Sequence, residues 1–297
     1  MHIPVLRQEV LEVLAPTANQ NFIDGTGGAA GHTLAILEKS APAGRVLFFD
    51  WDIETIARAK EIIAAQDAKL LERVIFINDS YVNIAAIAAS KKFKPVSGIL
   101  LDLGLSSDQL EISGRGFSFQ RDEPLDMRYS LNQELTAREI LNHWEEREIA
   151  RILKEYGEEP FARQISGAII KNRKIKPILN TAELVSLLVQ VIPPKFQHAR
   201  INFATRTWQA LRIAVNDELD NLKRFLPQAL DILAVGGRLA IISFHSLEDR
   251  IVKNYFRNLA KEKKAKLLNK KPIMAGESEI NRKTRGRSAK LRAIKKI

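Results

Sequence analysis

Asn21-Phe-Ile-Asp-Gly-Thr-Gly-Gly-Ala-Ala-Gly-His32 is the stretch that decides the fold. Asn21-Phe-Ile-Asp24 reads as a strand ending in an acid, four glycines follow within seven positions, and a helical pattern takes over at 32–39. Glycine lets a turn bring its backbone close to a ligand, and the helix behind it offers free N–H groups. Working outward, the same rhythm continues. Arg45-Val-Leu-Phe-Phe-Asp50 is a second strand, residues 53–66 form an Ala/Ile-rich helix, and Arg73-Val-Ile-Phe-Ile-Asn78 is a third strand. A helix at 83–90 and the strand Val96-Ser-Gly-Ile-Leu-Leu-Asp102 complete the series. Strands alternating with helices predict an α/β fold on a doubly wound parallel sheet.

Beyond Asp102 the rhythm stops. Residues 103–135 are rich in Gly, Ser, Asp and Arg and read as a long ordered loop. Amphipathic helices are expected at 136–156, 158–171 and 181–191, then a loop at 195–202 and a long helix at 205–226. Trp144 and Trp208 fall in these patterns as core residues. After a Gly236-Gly237 turn, Arg238-Leu-Ala-Ile-Ile-Ser-Phe244 returns as a strand. The expected organisation is a discontinuous α/β domain, 1–107 and 206–297, with a smaller all-helical domain, 108–205, inserted into it.

The chain has 297 residues, of which 45% are hydrophobic and 27% charged, and it has no cysteine. That length suits one large domain or one with a smaller companion, and the apolar fraction excludes a largely disordered chain. No apolar run approaches the ~20 residues that span a bilayer, and the start lacks a basic-then-apolar leader, so a cytoplasmic protein without a membrane partner is expected. Without cysteine there is no disulfide, thiolate metal site or cysteine nucleophile. No His/carboxylate cluster has ligand spacing, and no metal is expected.

The net charge of +11 is localised. Residues 261–297 hold 14 Lys+Arg against 3 Asp+Glu, which leaves the rest of the chain neutral. A polyanion such as RNA is the expected partner near the C-terminus, with Arg282, Arg285 and Arg287 in the densest part. A solvated basic tail would account for the same charge.

Ligands of open α/β sheets bind beyond the carboxyl ends of the strands. Three of those ends carry acids: Asp24 before the glycines, Asp50 after the second strand, and Asp102 after the fourth. Asp50 follows the turn by ~25 residues, the spacing of an acid that binds both ribose hydroxyls. Gly25, Gly27 and Ala30 only approximate the dinucleotide fingerprint, and an acid directly before the glycines suits the ammonium of S-adenosylmethionine. That cofactor is favoured over NAD. The structural alternatives are a plain tight turn for the glycines and a helix cap for Asp50, a job for which Asp52 is equally placed. Ser246-Leu-Glu-Asp249 has capping-box spacing. Arg115, Phe117 and Phe119, followed by Asp126 and Arg128, suit either nucleotide contact or a structural loop anchor.

Longer blocks carry a resemblance. Leu101-Asp-Leu-Gly-Leu-Ser-Ser107, Arg115-Gly-Phe-Ser-Phe119, Pro124-Leu-Asp-Met-Arg128, Tyr156-Gly-Glu-Glu159, Gln209-Ala-Leu-Arg-Ile-Ala-Val-Asn-Asp-Glu-Leu219 and Ser243-Phe-His-Ser-Leu-Glu-Asp-Arg250 run almost end to end. With His2-Ile-Pro-Val-Leu6 and Arg287-Ser-Ala-Lys-Leu-Arg292 added, the sequence resembles the bacterial 16S rRNA cytosine-N4 methyltransferases. The sequence departs from that pattern at Ala30, where the family usually has glycine, at Asn202-Phe203, where it has His-Pro, and at Tyr81, where it has Phe.

The resemblance implies a Rossmann-like domain that binds S-adenosylmethionine through Asp24, Ala30, Gly31, His32, Asp50, Tyr81, Asp102 and Gln109. It implies methylation of the exocyclic N4 amine of a cytidine in 16S rRNA of the small ribosomal subunit, by a monomer or homodimer. Asp102 and Ser106 are the expected catalytic wall; the acid-or-Asn-Pro-Pro-aromatic motif of DNA amino-methyltransferases is absent and Asp102-Leu-Gly-Leu-Ser-Ser107 occupies its place. Arg115, Phe117, Phe119, Asp126, Arg128, Arg206 and His245 join the basic tail as expected RNA contacts. An NAD-type oxidoreductase and a non-catalytic RNA-binding assembly factor are the rival readings.

Overall fold

A computed structural model describes residues 4–105, 107–197, 202–276 and 284–297. The chain opens with α1 (Arg7–Leu14), β1 (Phe22–Asp24), α2 (Gly31–Lys39), β2 (Val46–Asp50), α3 (Ile53–Gln66), β3 (Val74–Asn78), α4 (Ile84–Ser90) and β4 (Val96–Asp102). Helices follow: α5 (Ser107–Glu111), α6 (Ala137–His143), α7 (Glu146–Glu155), α8 (Ala162–Arg173), α9 (Thr181–Val191), α10 (Pro194–Gln197), α11 (Thr205–Asn216) and α12 (Glu218–Ile232). The last part holds β5 (Leu233–Ser243), α13 (Ser246–Lys261), β6 (Ala265–Leu267), β7 (Ile273–Met274) and β8 (Lys290–Lys296). Two compact units result, Met1–Gly104 with Leu219–Ile297, and Leu105–Glu218.

The first unit is built on one sheet in the order β3-β2-β1-β4-β5-β8-β6, with β7 also on β8. Adjacent residues of each strand serve opposite faces. Ile23, Leu47, Phe49, Ile99, Leu101 and Ile241 bury one way, against Ile84 of α4, Phe225 of α12 and Phe256 of α13. Phe22, Val46, Phe48, Leu100 and Ile242 bury the other way, against Val10 of α1, Ile36 of α2 and Ile63 of α3. Both faces are covered, which is why these strands read as unbroken apolar runs.

Two expectations about this unit change. β1 to β5 pair in parallel, but β8 is antiparallel to both β5 and β6, so the sheet is mixed. Gly236-Gly237 is not a turn before the last apolar strand; it lies inside β5, where Gly236 takes φ +80° and the pairing with β4 jumps from Val96↔Leu233 to Gly98↔Arg238. Glycine adopts this left-handed backbone without strain where β5 makes room for its extra residues.

The second unit is a helical cluster around Ile140, Ile149, Ile152, Ile165, Leu184 and Leu211. Its boundaries differ from the expected 108–205. The helix expected at 205–226 is two helices, because Asp217 takes φ 52° and ends α11. α11 packs with the insert through Trp208 and Leu211, while α12 continues to Ile232 in the first unit and contains Pro227. The helix expected at 136–156 is likewise broken, since Trp144 and Glu145 are extended and separate α6 from α7. α8 spans Ala162–Arg173 rather than 158–171, and the long loop contains α5. Among the described residues no helix is long and apolar enough to cross a membrane.

Candidate functional site

The order of the sheet reverses between β1 and β4, and a ligand cleft belongs beyond their carboxyl ends. Glycines stitch the turn after β1 to its neighbours. Gly25 N–H donates to the Leu100 carbonyl at 2.9 Å and Gly27 N–H to that of Phe49 at 2.8 Å. An added Cβ would lie 2.8 Å from Leu101 Cδ1 at Gly25 and 2.1 Å from Phe48 Cζ at Gly27, so no side chain fits at Gly27 without a shift. Ala30 takes φ 60° at the start of α2, a backbone that glycine adopts without strain, and its methyl is buried in the cluster with Leu6 and Ile36. Gly31 is the first residue of α2.

Asp50 is held from two sides. Gly28 N–H donates to its Oδ2 at 3.0 Å and Asp52 N–H to its Oδ1 at 2.9 Å. Asp52 caps α3 by accepting from Glu54 N–H, so the cap role falls to Asp52. Asp24 is buried and accepts from the Thr33 hydroxyl at 2.6 Å and Thr26 N–H at 3.3 Å. The Thr26 Oγ1 in turn accepts from Asp102 N–H at 2.6 Å, which ties the turn to the end of β4. His32 is buried, with Nε2 3.8 Å from Asp102 Oδ2. Tyr81 follows β3, stands edge-on to Phe225 at 5.3 Å, and has its Cβ 3.4 Å from a Cβ built at Gly25. Asp24, Ala30, Gly31, His32, Asp50, Tyr81 and Asp102 thus share one unit. Gln109 belongs to α5 of the other, and Ser106 lies outside the described residues.

The electrostatics of this cleft discriminate between ligands. Burial raises the Asp24 carboxyl to about 6. Burial, with help from the neighbouring Asp52 and Asp24 charges, raises Asp50 to about 7, against the two backbone hydrogen bonds that lower it. No Lys or Arg occurs between Asp24 and Thr33. A pyrophosphate placed beside this turn would face the Asp24 and Asp50 carboxyls. A ligand carrying an ammonium, a sulfonium and a ribose diol would supply the missing positive charge and two donors. The residues fit S-adenosylmethionine.

His245 is the N-cap of α13. Its Nδ1 accepts from Glu248 N–H at 3.4 Å, and Glu248 Oε2 accepts from His245 N–H at 3.3 Å and from Phe244 N–H at 2.8 Å. The capping box therefore starts one residue before the expected Ser246, because an imidazole nitrogen takes the acceptor role usually given to Ser, Thr, Asp or Asn.

The Arg/aromatic loop of the helical unit is braced internally. Arg115 Nη1 donates to the Arg128 and Tyr129 carbonyls at 3.2 and 3.1 Å. Phe117 is buried and stacked on Tyr129 with centroids 5.6 Å apart, and Phe119 stands edge-on to Trp208 at 5.5 Å. Arg128 forks onto both oxygens of Asp126 at 2.8 Å. Burial opposes the Asp126 charge, but hydrogen bonds and attraction from Arg128 hold its carboxyl below the usual range. Phe117, Asp126 and Arg128 therefore have packing and bracing roles, the structural loop anchor that was one of the two readings of this stretch. Arg206 sits half-buried at the start of α11, where its charge opposes the burial that raises the Glu159 carboxyl. Of the tail arginines, Arg287 is exposed, while Arg282 and the side chain of Arg285 lie outside the described residues. Sequence reasoning missed Asn216, which accepts from Tyr129 N–H and donates to the Met127 carbonyl; a lone Asn in a helical pattern carries no signal for a loop 89 residues away.

A mixed α/β sheet whose switch point carries a glycine turn and three strand-end acids defines a nucleoside-cofactor-binding enzyme domain. The chain belongs to the MraW methylase family, which it matches over residues 1–297. It is 44% identical to the ribosomal RNA small subunit methyltransferase H of Heliobacterium modesticaldum, across 100% of this chain and 98% of that protein. Proteins of the same name from Thermosipho melanesiensis, at 44%, and Desulfotalea psychrophila, at 43%, match over the same shares.

Proposed function

We propose that the protein methylates the exocyclic N4 amine of a specific cytidine in 16S rRNA of the small ribosomal subunit, using S-adenosylmethionine. The carrying observation is the acid-lined cleft at the β1/β4 switch point, which suits a cationic cofactor, set in a chain whose family and relatives are rRNA methylases. When bound, the cofactor would supply an electrophilic sulfonium methyl to the amine, which gives up one proton in exchange.

The chain's residues do the rest. Asp50 binds the ribose hydroxyls, Asp24 attracts the ammonium, and Tyr81 offers a ring to the adenine. The amine of cytosine is a poor nucleophile because its lone pair is delocalised into the ring, so an acceptor for its N–H is needed beside the methyl donor. Asp102, positioned by the Thr26 hydroxyl, is that acceptor together with nearby main-chain carbonyls and Ser106. Arg206 and the Arg115–Arg128 loop belong to the unit we assign to RNA recognition. Equilibrium binding of radiolabelled S-adenosylmethionine and of NAD to the purified protein tests the cofactor half of this reading. Saturable binding of the first alone is expected; binding of NAD alone would overturn it.

A further inference from the structure

The helical unit contains a cleft of about 300 Å³, lined by Arg138, Glu139, Asn142 and His143 of α6, by Arg173 at the end of α8, and by the apolar Pro177 and Leu179. Its walls are fixed by backbone-directed bonds. The Asn142 amide donates to the Ile178 carbonyl at 2.7 Å and accepts from Ile178 N–H at 2.9 Å. Arg173 Nη1 donates to the Leu141 and Trp144 carbonyls at 3.1 and 2.7 Å, closing the last turn of α6.

The charges in this cleft are not balanced. Glu139 Oε2 lies 3.5 Å from His143 Nε2, an ion pair only when the imidazole is protonated, so the lining sets two guanidiniums against one carboxylate. Among the described residues neither Arg138 nor Arg173 has a carboxylate within ion-pair distance, and the Arg138 guanidinium makes no hydrogen bond. Arg173 spends one nitrogen on carbonyls and keeps Nε and Nη2 for another acceptor. Lys171 and Lys174, both exposed, flank Arg173 in the sequence, and Lys176 just beyond them is paired with Glu183. Ile175 beside them is 90% exposed. Two guanidiniums facing one cleft repel each other until an oxyanion sits between them, and the guanidinium fork matches phosphate geometry.

We propose that this cleft is a subsite for a backbone phosphate of the RNA substrate, with Lys171 and Lys174 continuing the track along the strand. The inference rests on the RNA substrate proposed above. A polymer is favoured over free phosphate because two further exposed cations, Lys171 and Lys174, adjoin Arg173 in the sequence.

The test measures binding of the full-length protein to a 16S rRNA transcript across a potassium chloride series. Arg138→Gln and Arg138→Glu are compared with Arg147→Gln, a control on α7 outside the cleft whose side chain is 84% exposed. Loss of one phosphate contact on single-stranded RNA flattens the log–log salt slope by ~0.7. Arg138→Gln should show that change with a weaker dissociation constant, Arg138→Glu a larger loss, and Arg147→Gln the parent's slope, while S-adenosylmethionine affinity stays the same in all four. Parent-like slopes in both Arg138 variants, or an equal loss in Arg147→Gln, would overturn the proposal. So would saturable binding of inorganic phosphate that depends on Arg138 while the RNA slope does not. If the parent methylates small subunits and only the cleft variants fail to differ, the subsite is wrong and the function stands; if the parent binds no rRNA, both fall.

Discussion

Asp50 spends one carboxylate oxygen on Gly28 N–H and the other on Asp52 N–H, and a ribose diol would compete for the remaining lone pairs. Replacing it by alanine removes a charged acceptor worth about 1.5–3 kcal/mol per hydrogen bond, so Asp50→Ala should lose most of the S-adenosylmethionine affinity. Titration calorimetry on the folded variant checks this, and an unchanged dissociation constant would remove Asp50 from the site. The raised carboxyls also fix a pH dependence. Asp24 and Asp50 rise from 3.8 to about 6 and about 7 on folding, so the ligand-free fold binds more protons than the unfolded chain between those values. Their contribution to stability is fully present below 3.8 and is lost as pH rises through about 6 and then about 7. Cofactor affinity runs the other way, because a cationic ligand needs both groups ionised. Its dissociation constant should weaken as pH falls below about 7, with proton release on binding in mildly acid buffer. A flat affinity profile with no proton release contradicts the electrostatic account. The acids and glycines of this site were legible in the sequence because each ends a strand. The Thr26 hydroxyl was not, since its bond to Asp102 N–H joins segments 76 residues apart.

The elements read best where chain-local signals suffice. The helices at Ile53–Gln66 and Thr181–Val191 and the strand Val96–Asp102 have the bounds expected from apolar period alone. The breaks at Trp144-Glu145 and Asp217 escaped that reading, because a left-handed or extended residue in a helical pattern costs little sequence signal. The antiparallel β8 also escaped it. Its residues looked like part of a basic tail, but Arg292 is 8% exposed and bonds both oxygens of Asp249, at 2.6 and 3.2 Å. Lys296 Nζ donates to the Leu230, Asp231 and Leu233 carbonyls at the end of α12. These cations serve the sheet. Arg292→Met would leave Asp249 with Lys290, 3.8 Å away, and should lower stability by about 2–4 kcal/mol in urea unfolding. A loss below about 0.5 kcal/mol, the scale of an ordinary surface change, would show that the pair does not secure β8.

At the scale of the molecule, the chain divides chemistry between two units. The strand-end acids belong to Met1–Gly104 with Leu219–Ile297, and the Arg138 cleft to Leu105–Glu218. Composition showed that an insert interrupts the α/β pattern, but the second boundary depended on Asp217, where α11 packs one way and α12 the other. Replacing Leu105–Glu218 by a short Gly/Ser linker should leave S-adenosylmethionine binding measurable and abolish methyl transfer. A folded deletion that no longer binds the cofactor would mean that the first unit does not hold the pocket by itself.

Methyl transfer to N4 is read on the RNA itself. Small subunits from cells lacking this protein are incubated with the purified enzyme and deuteromethyl-labelled S-adenosylmethionine, and the 16S rRNA is digested and mapped by mass spectrometry. One labelled methyl is expected at a single cytidine, on N4, and none from the Asp50→Ala reaction. A label on another base or on ring carbon, or no label from a protein that binds the cofactor, would contradict it.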